Sequence, residues 1–345
     1  MYLHWQSKLS NPFPDARLPL RSILFTSSFT STFILDDLTL LRRRFEVDHL
    51  LTRGVRSLPA MVRGVRSHDA TYTWFASLYA VVAVALAQVF GKPSYIVVGG
   101  ADVMRVGGVR YGPWHSPVKR LLVGWALRHA TLVMPVAEAL KDAALRLADS
   151  SGANMAVVPT GYDENLWVPA GPKERTILCL AGCESYERLL VKGIDILFAA
   201  AGSLPDERFI LVGTEREMLD LLHTPIPPNV RIAPPVQRNA LASFYQRSKV
   251  YVQPSRSEGL PNAVCEAMLS GCIPVGSDVG GMGLAIGATG FLVPPDRPEC
   301  LVDALRSALN APDELGLQAR ERICALFPVE RRREALECLL DPGRT

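Results

Sequence analysis

The first half of this chain has no cysteine. All seven follow residue 178, none forms a Cys-x-x-Cys pair, and none is spaced with the six histidines as metal ligands are. That excludes a disulfide framework and a zinc site of the usual spacing, and apolar surroundings such as "TILCLAG" point to reduced core thiols in a cytoplasmic protein. Long hydrophobic runs are also missing. The longest, "LYAVVAVALAQVF", has 13 residues and includes Gln88, too few to span a bilayer. "MYLHWQSKLSNPFPDARLPL" has no apolar core segment, so no signal peptide is read there. No Gly-x-Gly-x-x-Gly follows the first strand-like run, "ILFTSS", which argues against an NAD-dependent oxidoreductase.

What is present is a 345-residue chain, 48% hydrophobic and 21% charged, the balance of a soluble protein long enough for two domains. Its net charge of +3 is uneven. Residues 1–150 hold 18 Lys/Arg against 10 Asp/Glu, a surplus of eight that leaves −5 for the remainder. The arginines of "LRRRF", "TRGVRSLPAMVRGVRS" and "SPVKRLLVGWALRH" read either as solvated helix faces or as a surface for an anionic membrane or acceptor. In the membrane reading, Arg42, Arg43 and Arg44 supply charge and Trp114 or Trp125 enters the interface.

Strand-like and helix-like segments alternate throughout, which predicts doubly wound parallel sheets. "DATYTWFASLYAVVAVALAQVFG" reads as one long helix closed by Gly91 and Pro93, and "SYIVVGG" as a strand buried on both faces. "MAVVPTG" reads as a strand ending at Pro159. A Pro/Gly-rich linker follows, and the alternation restarts at "TILCLAG", with "KGIDILFAAAGSL" as a helix. The expected domains are an irregular leader at 1–20, an amino-terminal domain at 21–165, a second domain at 166–326, and a terminal helix at 327–345 that returns to the first domain.

"SRSEGLPNAVCEAMLSGCIPV" (255–275) places Glu258 in a loop and Glu266 just inside the next helix. In an open parallel sheet, ligands bind beyond the carboxyl ends of the strands. There the backbone of Gly259, Leu260, Pro261 and Asn262 leads into a helix whose N–H groups receive a phosphate. Gly259 permits close approach, and Pro261 lacks an N–H that the first turn does not use. Glu266 is positioned for a ribose diol and Glu258 for the hydroxyls of a sugar.

With "VVPTGYDENLWVP", "KGIDIL" and "SEGLPNAVCEAMLSGCIPVGSDVGG…TGFLVPPD", the chain resembles the family 4 (group 1) glycosyltransferases, most strongly over 155–295. The resemblance implies a GT-B fold, two Rossmann-like domains facing a cleft. It also implies sugar transfer from a nucleotide-sugar donor with net retention, without metal or other cofactor. A non-catalytic sugar-nucleotide-binding protein and a sugar-nucleotide epimerase are the alternatives.

Under this resemblance Lys192 neutralises the departing diphosphate, a charge role otherwise taken by a metal ion. Relatives carry a second cation where this chain has Cys183, and Arg188 is the substitute. Gly213 leaves room for the nucleoside, and Gly280 and Gly281 approach the sugar or its phosphate. Many relatives have a histidine where this chain has Gly99, so Asp102 and His115 become the candidates on the acceptor side. The expected partners are a nucleotide-sugar, a glycan or lipid-linked acceptor and an anionic membrane surface, with no nucleic acid. The expected location is the cytoplasm, peripheral on the inner face of the membrane.

Overall fold

A computed structural model describes residues 20–341 and divides the chain into two compact units. The expected leader lies almost wholly outside the described residues. The first unit runs to Met104, resumes at Pro113–Gly161 and takes in the chain from Val329 onward, and the second comprises Arg105–Gly112 and Tyr162–Pro328. The segment 105–112 thus interrupts the expected 21–165 domain. Val106 and Val109 account for it, packing against Val191 of the second unit.

In the first unit the order is β1 (Ser22–Ser27), α1 (Thr32–Arg42), β2 (Glu46–Leu51), α2 (Leu58–Ser67), β3 (Ala70–Trp74), α3 (Leu78–Val89), β4 (Ser94–Val98), α4 (Pro117–His129), β5 (Leu132–Pro135) and α5 (Glu138–Ala148). The strands form one parallel sheet in the order β2-β1-β3-β4-β5. Two expectations need correction. Ala70–Trp74 is a strand, not the start of the long helix. Its β-branched and aromatic residues are buried throughout between β1 and β4, and only Leu78–Val89 is helical. The segment ending at Pro159 is not a strand. It bridges β5 at Met155 and then follows it through the N–H groups of Ala156 and Val158, which donate to Val133 O and Pro135 O.

The second unit holds β6 (Glu174–Leu180), α6 (Tyr186–Lys192), α7 (Ile194–Gly202), β7 (Arg208–Val212), α8 (Arg216–Leu219), β8 (Val230–Ala233), α9 (Arg238–Arg247), β9 (Ser248–Gln253), α10 (Asn262–Leu269), β10 (Ile273–Ser277), α11 (Met282–Ile286), β11 (Phe291–Val293), α12 (Pro298–Asn310) and α13 (Glu314–Leu326). Its strands are parallel in the order β11-β10-β9-β6-β7-β8. Counted from β6, this is the 3-2-1-4-5-6 order of the nucleotide-binding doubly wound sheet, whose ligand crevice opens where the strand order reverses. Here that point is between β6 and β9.

The first unit also contains α14 (Val329–Leu340), which packs on α1. Arg332 makes this contact specific. Its Nε and Nη2 each donate to the Asp37 carboxylate at 2.6 Å, and Nη1 donates to Val158 O and Pro159 O. Tyr72 Oη and Trp74 Nε1 also donate to Asp37, at 2.8 and 2.9 Å. A buried ion pair satisfied on this many sides avoids the cost of an orphaned charge.

Candidate active site

Two loops meet at the β6/β9 reversal point of the second unit. After β6 the chain passes through Ala181–Cys183 into α6. Ser185 caps that helix, its hydroxyl accepting from the Arg188 N–H. α6, formed by "YERLLVK", was not expected. Lys192 is therefore the last residue of one helix, not part of the first turn of another. The correction reverses the electrostatics, because a cation at a helix carboxyl end complements the macrodipole. Gly193 then turns the chain into α7 with φ +69°, and a Cβ there would lie 2.0 Å from Pro254 O. Only glycine allows α6 to end so close to the exit of β9.

The second loop leaves β9. Tyr251, Gln253 and Ser255 alternate along it, so they share one face, and all three are buried. They form a relay. Tyr251 Oη donates to Gln253 Oε1, Gln253 Nε2 to Ser255 Oγ, and Ser255 Oγ to Glu258 Oε1, at 2.8, 2.8 and 2.7 Å. Lys192 Nζ reaches the same Glu258 oxygen at 2.7 Å. Arg256 braces the loop from below. Its guanidinium pairs with both Asp195 oxygens at 2.8 and 2.7 Å and with Asp296 at 2.6 Å, and it also donates to Leu190 O. Sequence reasoning passed over Gln253, Tyr251 and Arg256. The polar alternation inside "KVYVQPS" was the available signal.

Pro261 stands at the amino end of α10, and Tyr162, from the linker segment, donates to Asn262 Oδ1 at 2.6 Å. By helix geometry the first N–H groups of α10 have no partner within the helix. Glu266 lies midway along α10, only 5% exposed, and accepts from Tyr245 Oη at 3.2 Å. Burial first, then the neighbouring Glu266 charge, pushes the Tyr245 phenol well above its ordinary range. The Tyr245 proton therefore stays available as a donor that orients the carboxylate.

The other expected residues fall as follows. Gly280 and Gly281 approach protein backbone. Added Cβ atoms would stand 1.8 Å from Glu258 O and 2.7 Å from Gly259 O, and Gly281 N–H donates to Gly259 O. They seat the Glu258 loop. Gly213 (φ +100°) lies against Ala181 O, beside Gly182. Cys183 is a buried thiol whose pKa burial raises. Arg188 is held next to it, its Nε donating to Gly182 O at 3.1 Å and its Nη1 to Tyr111 Oη at 2.5 Å.

In the first unit, Asp102 is buried and accepts from the N–H groups of Ala76, Gly99 and Gly100 at 2.8, 3.3 and 2.7 Å. It organises the turn after β4. A Cβ on Gly99 would lie 2.4 Å from the Phe75 ring, so that ring takes the space a side chain at 99 would need. His115 stands exposed at the end of the helical turn Pro113–His115. Among the described residues no cluster of His, Cys, Asp and Glu could hold a metal ion, and no helix is long and apolar enough to cross a membrane.

Residues 174–311 match the model of the glycosyl transferases group 1 family. A D-inositol 3-phosphate glycosyltransferase from Xylanimonas cellulosilytica is 31% identical over 191 residues, covering 48% of this chain and 44% of that protein. A sulfoquinovosyl transferase from Arabidopsis thaliana is 34% identical over 140 residues, covering 38% of this chain and 27% of that one. The chain thus spans less than half the length of these relatives.

Solved structures extend the likeness to nearly the whole fold. Sucrose-phosphate synthase from Thermosynechococcus elongatus has a TM-score of 0.78 at 20% identity, covering 92% of this chain and 98% of that one. Anabaena HepE in complex with UDP-glucose has a TM-score of 0.75 at 17% identity, covering 92% and 99%. The fold is GT-B.

Proposed function

We propose that this chain transfers a sugar, with net retention, from a nucleotide-sugar donor to a hydroxyl of a glycan or lipid-linked acceptor. The observation that carries the reading is the Lys192–Glu258 pair at the β6/β9 reversal point, beside the amino end of α10. A diphosphate laid against that helix end has N–H groups on one side and the Lys192 ammonium on the other. As it takes Lys192, Glu258 Oε1 loses one donor and becomes free to accept from a hydroxyl of the sugar. The relay from Tyr251 through Ser255 holds the carboxylate in place during this exchange. Glu266, oriented by Tyr245, takes the ribose diol. Lys192 then offsets the charge that grows on the leaving diphosphate, where a preplaced cation counts most. Arg188 is the second cation on this path, poised over Gly182 by Tyr111.

Uridine is the first base to test, because the Anabaena neighbour was solved with UDP-glucose. The seven cysteines, none of them in a disulfide, support a reducing compartment, and the surplus of eight cations in residues 1–150 supports a place beside an anionic surface. A thermal-shift screen of UDP, GDP, ADP and their sugars tests the donor site. A ligand at a hundred times its dissociation constant adds about 2.7 kcal/mol of stability. A chain that no nucleotide stabilises would end this reading.

A further inference from the structure

Three helices of the first unit begin on one rim. β2, β3 and β4 each lead from their carboxyl ends to α2, α3 and α4, and a helix joining parallel strands runs back against them. Because α3 packs against both α2 and α4, their first turns are neighbours at the carboxyl edge of the sheet. The side chains exposed there are apolar. Val55 and Leu58 flank the start of α2, Leu78 opens α3, and Val118 (66% exposed), Leu121 (69%) and Leu122 open α4. Positions 118, 121 and 122 follow i, i+3, i+4 spacing and form one stripe on the helix.

The charged side chains exposed at the starts of α2 and α4 are all basic, and the exposed Glu138 opens the neighbouring α5. Arg53, Arg56, Lys119 and Arg120 are exposed within or beside the rim. No acidic residue occurs between Asp48 and Asp69, or between Asp102 and Glu138. The Arg120 guanidinium lies 4.9 Å over the Trp114 ring, and Trp114 Nε1 donates to Val103 O at 2.8 Å, which fixes the cation beside the stripe. Arg42–Arg44 are at the other edge of the sheet, where α1 ends ahead of β2, and Arg44 is paired with Asp341 at 2.8 Å. The basic triplet expected to dock is therefore not on the apolar rim.

We infer that the first turns of α2, α3 and α4 dock this protein on an anionic phospholipid surface. Val118, Leu121 and their neighbours enter the interface while Lys119 and Arg120 meet the headgroups. Apolar burial and electrostatic attraction add in such contacts, and the second falls with salt. The inference deepens the transferase reading by giving it a lipid-borne acceptor, but its test requires no sugar transfer.

The full chain is sedimented with neutral phosphatidylcholine vesicles and with vesicles containing about 30% phosphatidylglycerol, an anionic lipid fraction sufficient for a surface potential. Wild type binds the anionic vesicles, and binding weakens steeply from low to moderate salt. Val118→Ser with Leu121→Ser, and separately Lys119→Gln with Arg120→Gln, each weaken partitioning at least ~10-fold. Arg42→Gln with Arg43→Gln leaves it unchanged. Nucleotide-induced thermal shifts are compared across the variants, so a failed donor site is distinguished from failed docking. Binding absent from anionic vesicles, insensitive to both pairs, or replaced by self-association that Leu121→Ser abolishes, overturns the proposal.

Discussion

Lys192 Nζ donates to Glu258 Oε1 at 2.7 Å, joining side chains 66 residues apart, from the end of α6 and the loop after β9. Both are largely buried, so neither charge is left to solvent alone. Lys192→Ala is expected to lower transfer at least ~100-fold, mostly in kcat, because the cation acts on charge that develops as the diphosphate departs. Added EDTA is expected to leave wild-type transfer intact. Steady-state kinetics with and without chelator measure both, and transfer that requires added metal would contradict the role given to Lys192.

The two glutamates should separate kinetically. Glu266→Gln weakens nucleotide binding about 10-fold or more, since a charged acceptor for the ribose is worth about 1.5–3 kcal/mol. Glu258→Gln chiefly lowers kcat and leaves the affinity for free nucleotide diphosphate near wild type. Titration calorimetry with the nucleotide alone, beside turnover with the full donor, resolves the two. Normal binding by the Glu266 variant would move the nucleoside elsewhere.

Gly193→Ala tests the join between α6 and α7. The left-handed backbone costs an alanine about 1–2 kcal/mol, and its Cβ would collide with Pro254 O. Urea denaturation is expected to show a loss of at least that size. Transfer should fall further than stability explains, because Lys192 shifts away from Glu258. A variant with wild-type stability would mean that α6 and β9 tolerate a wider gap.

Arg332→Met leaves Asp37 buried with only neutral donors, and removing one partner of a buried pair costs about 3–5 kcal/mol. The double variant Arg332→Met with Asp37→Leu is expected to regain part of that loss. Denaturation midpoints of the two proteins measure the difference. Equal stability of wild type and Arg332→Met would show that α14 is held by apolar packing alone.

Asp102 carries a pH signature. Burial raises its carboxyl pKa above the ordinary value, against the pull of the N–H groups that lower it. A folded pKa above the unfolded one means that the native state holds the proton longer. Its contribution to stability is therefore fullest at low pH and declines as pH rises through the folded pKa. Asp102→Asn does not titrate, so the advantage of wild type over the variant should be larger near pH ~4 than near pH ~7. Urea midpoints at the two pH values test the sign, and an advantage that grows with pH would reverse it.

Much of the candidate site was legible because its signals are local. Alternation of apolar runs marked the strands of the second unit, and "SEGLPNAVCEAML" set a loop acid ahead of a helix acid. Ala70–Trp74 was misread because a strand covered on both faces shows no alternation and merges with the apolar helix after it. α6 is not legible because "YERLLVK" is only seven residues long, and Lys192 at its end, with Gly193, reads as the first turn of the helix "KGIDILFAAAGSL".

By itself, the sequence determined that the chain would build parallel α/β sheets and carry its positive charge in its first half. These follow from residue type and short-range period. Tertiary structure alone decided that Lys192 meets Glu258, that Tyr251, Gln253 and Ser255 support that glutamate, and that Arg332 closes on Asp37. It also placed the exposed apolar side chains at the starts of α2, α3 and α4, on a rim that Arg42–Arg44 do not share. Each of these depends on strand order and on which ends of distant elements come together, and no local pattern of residues encodes that.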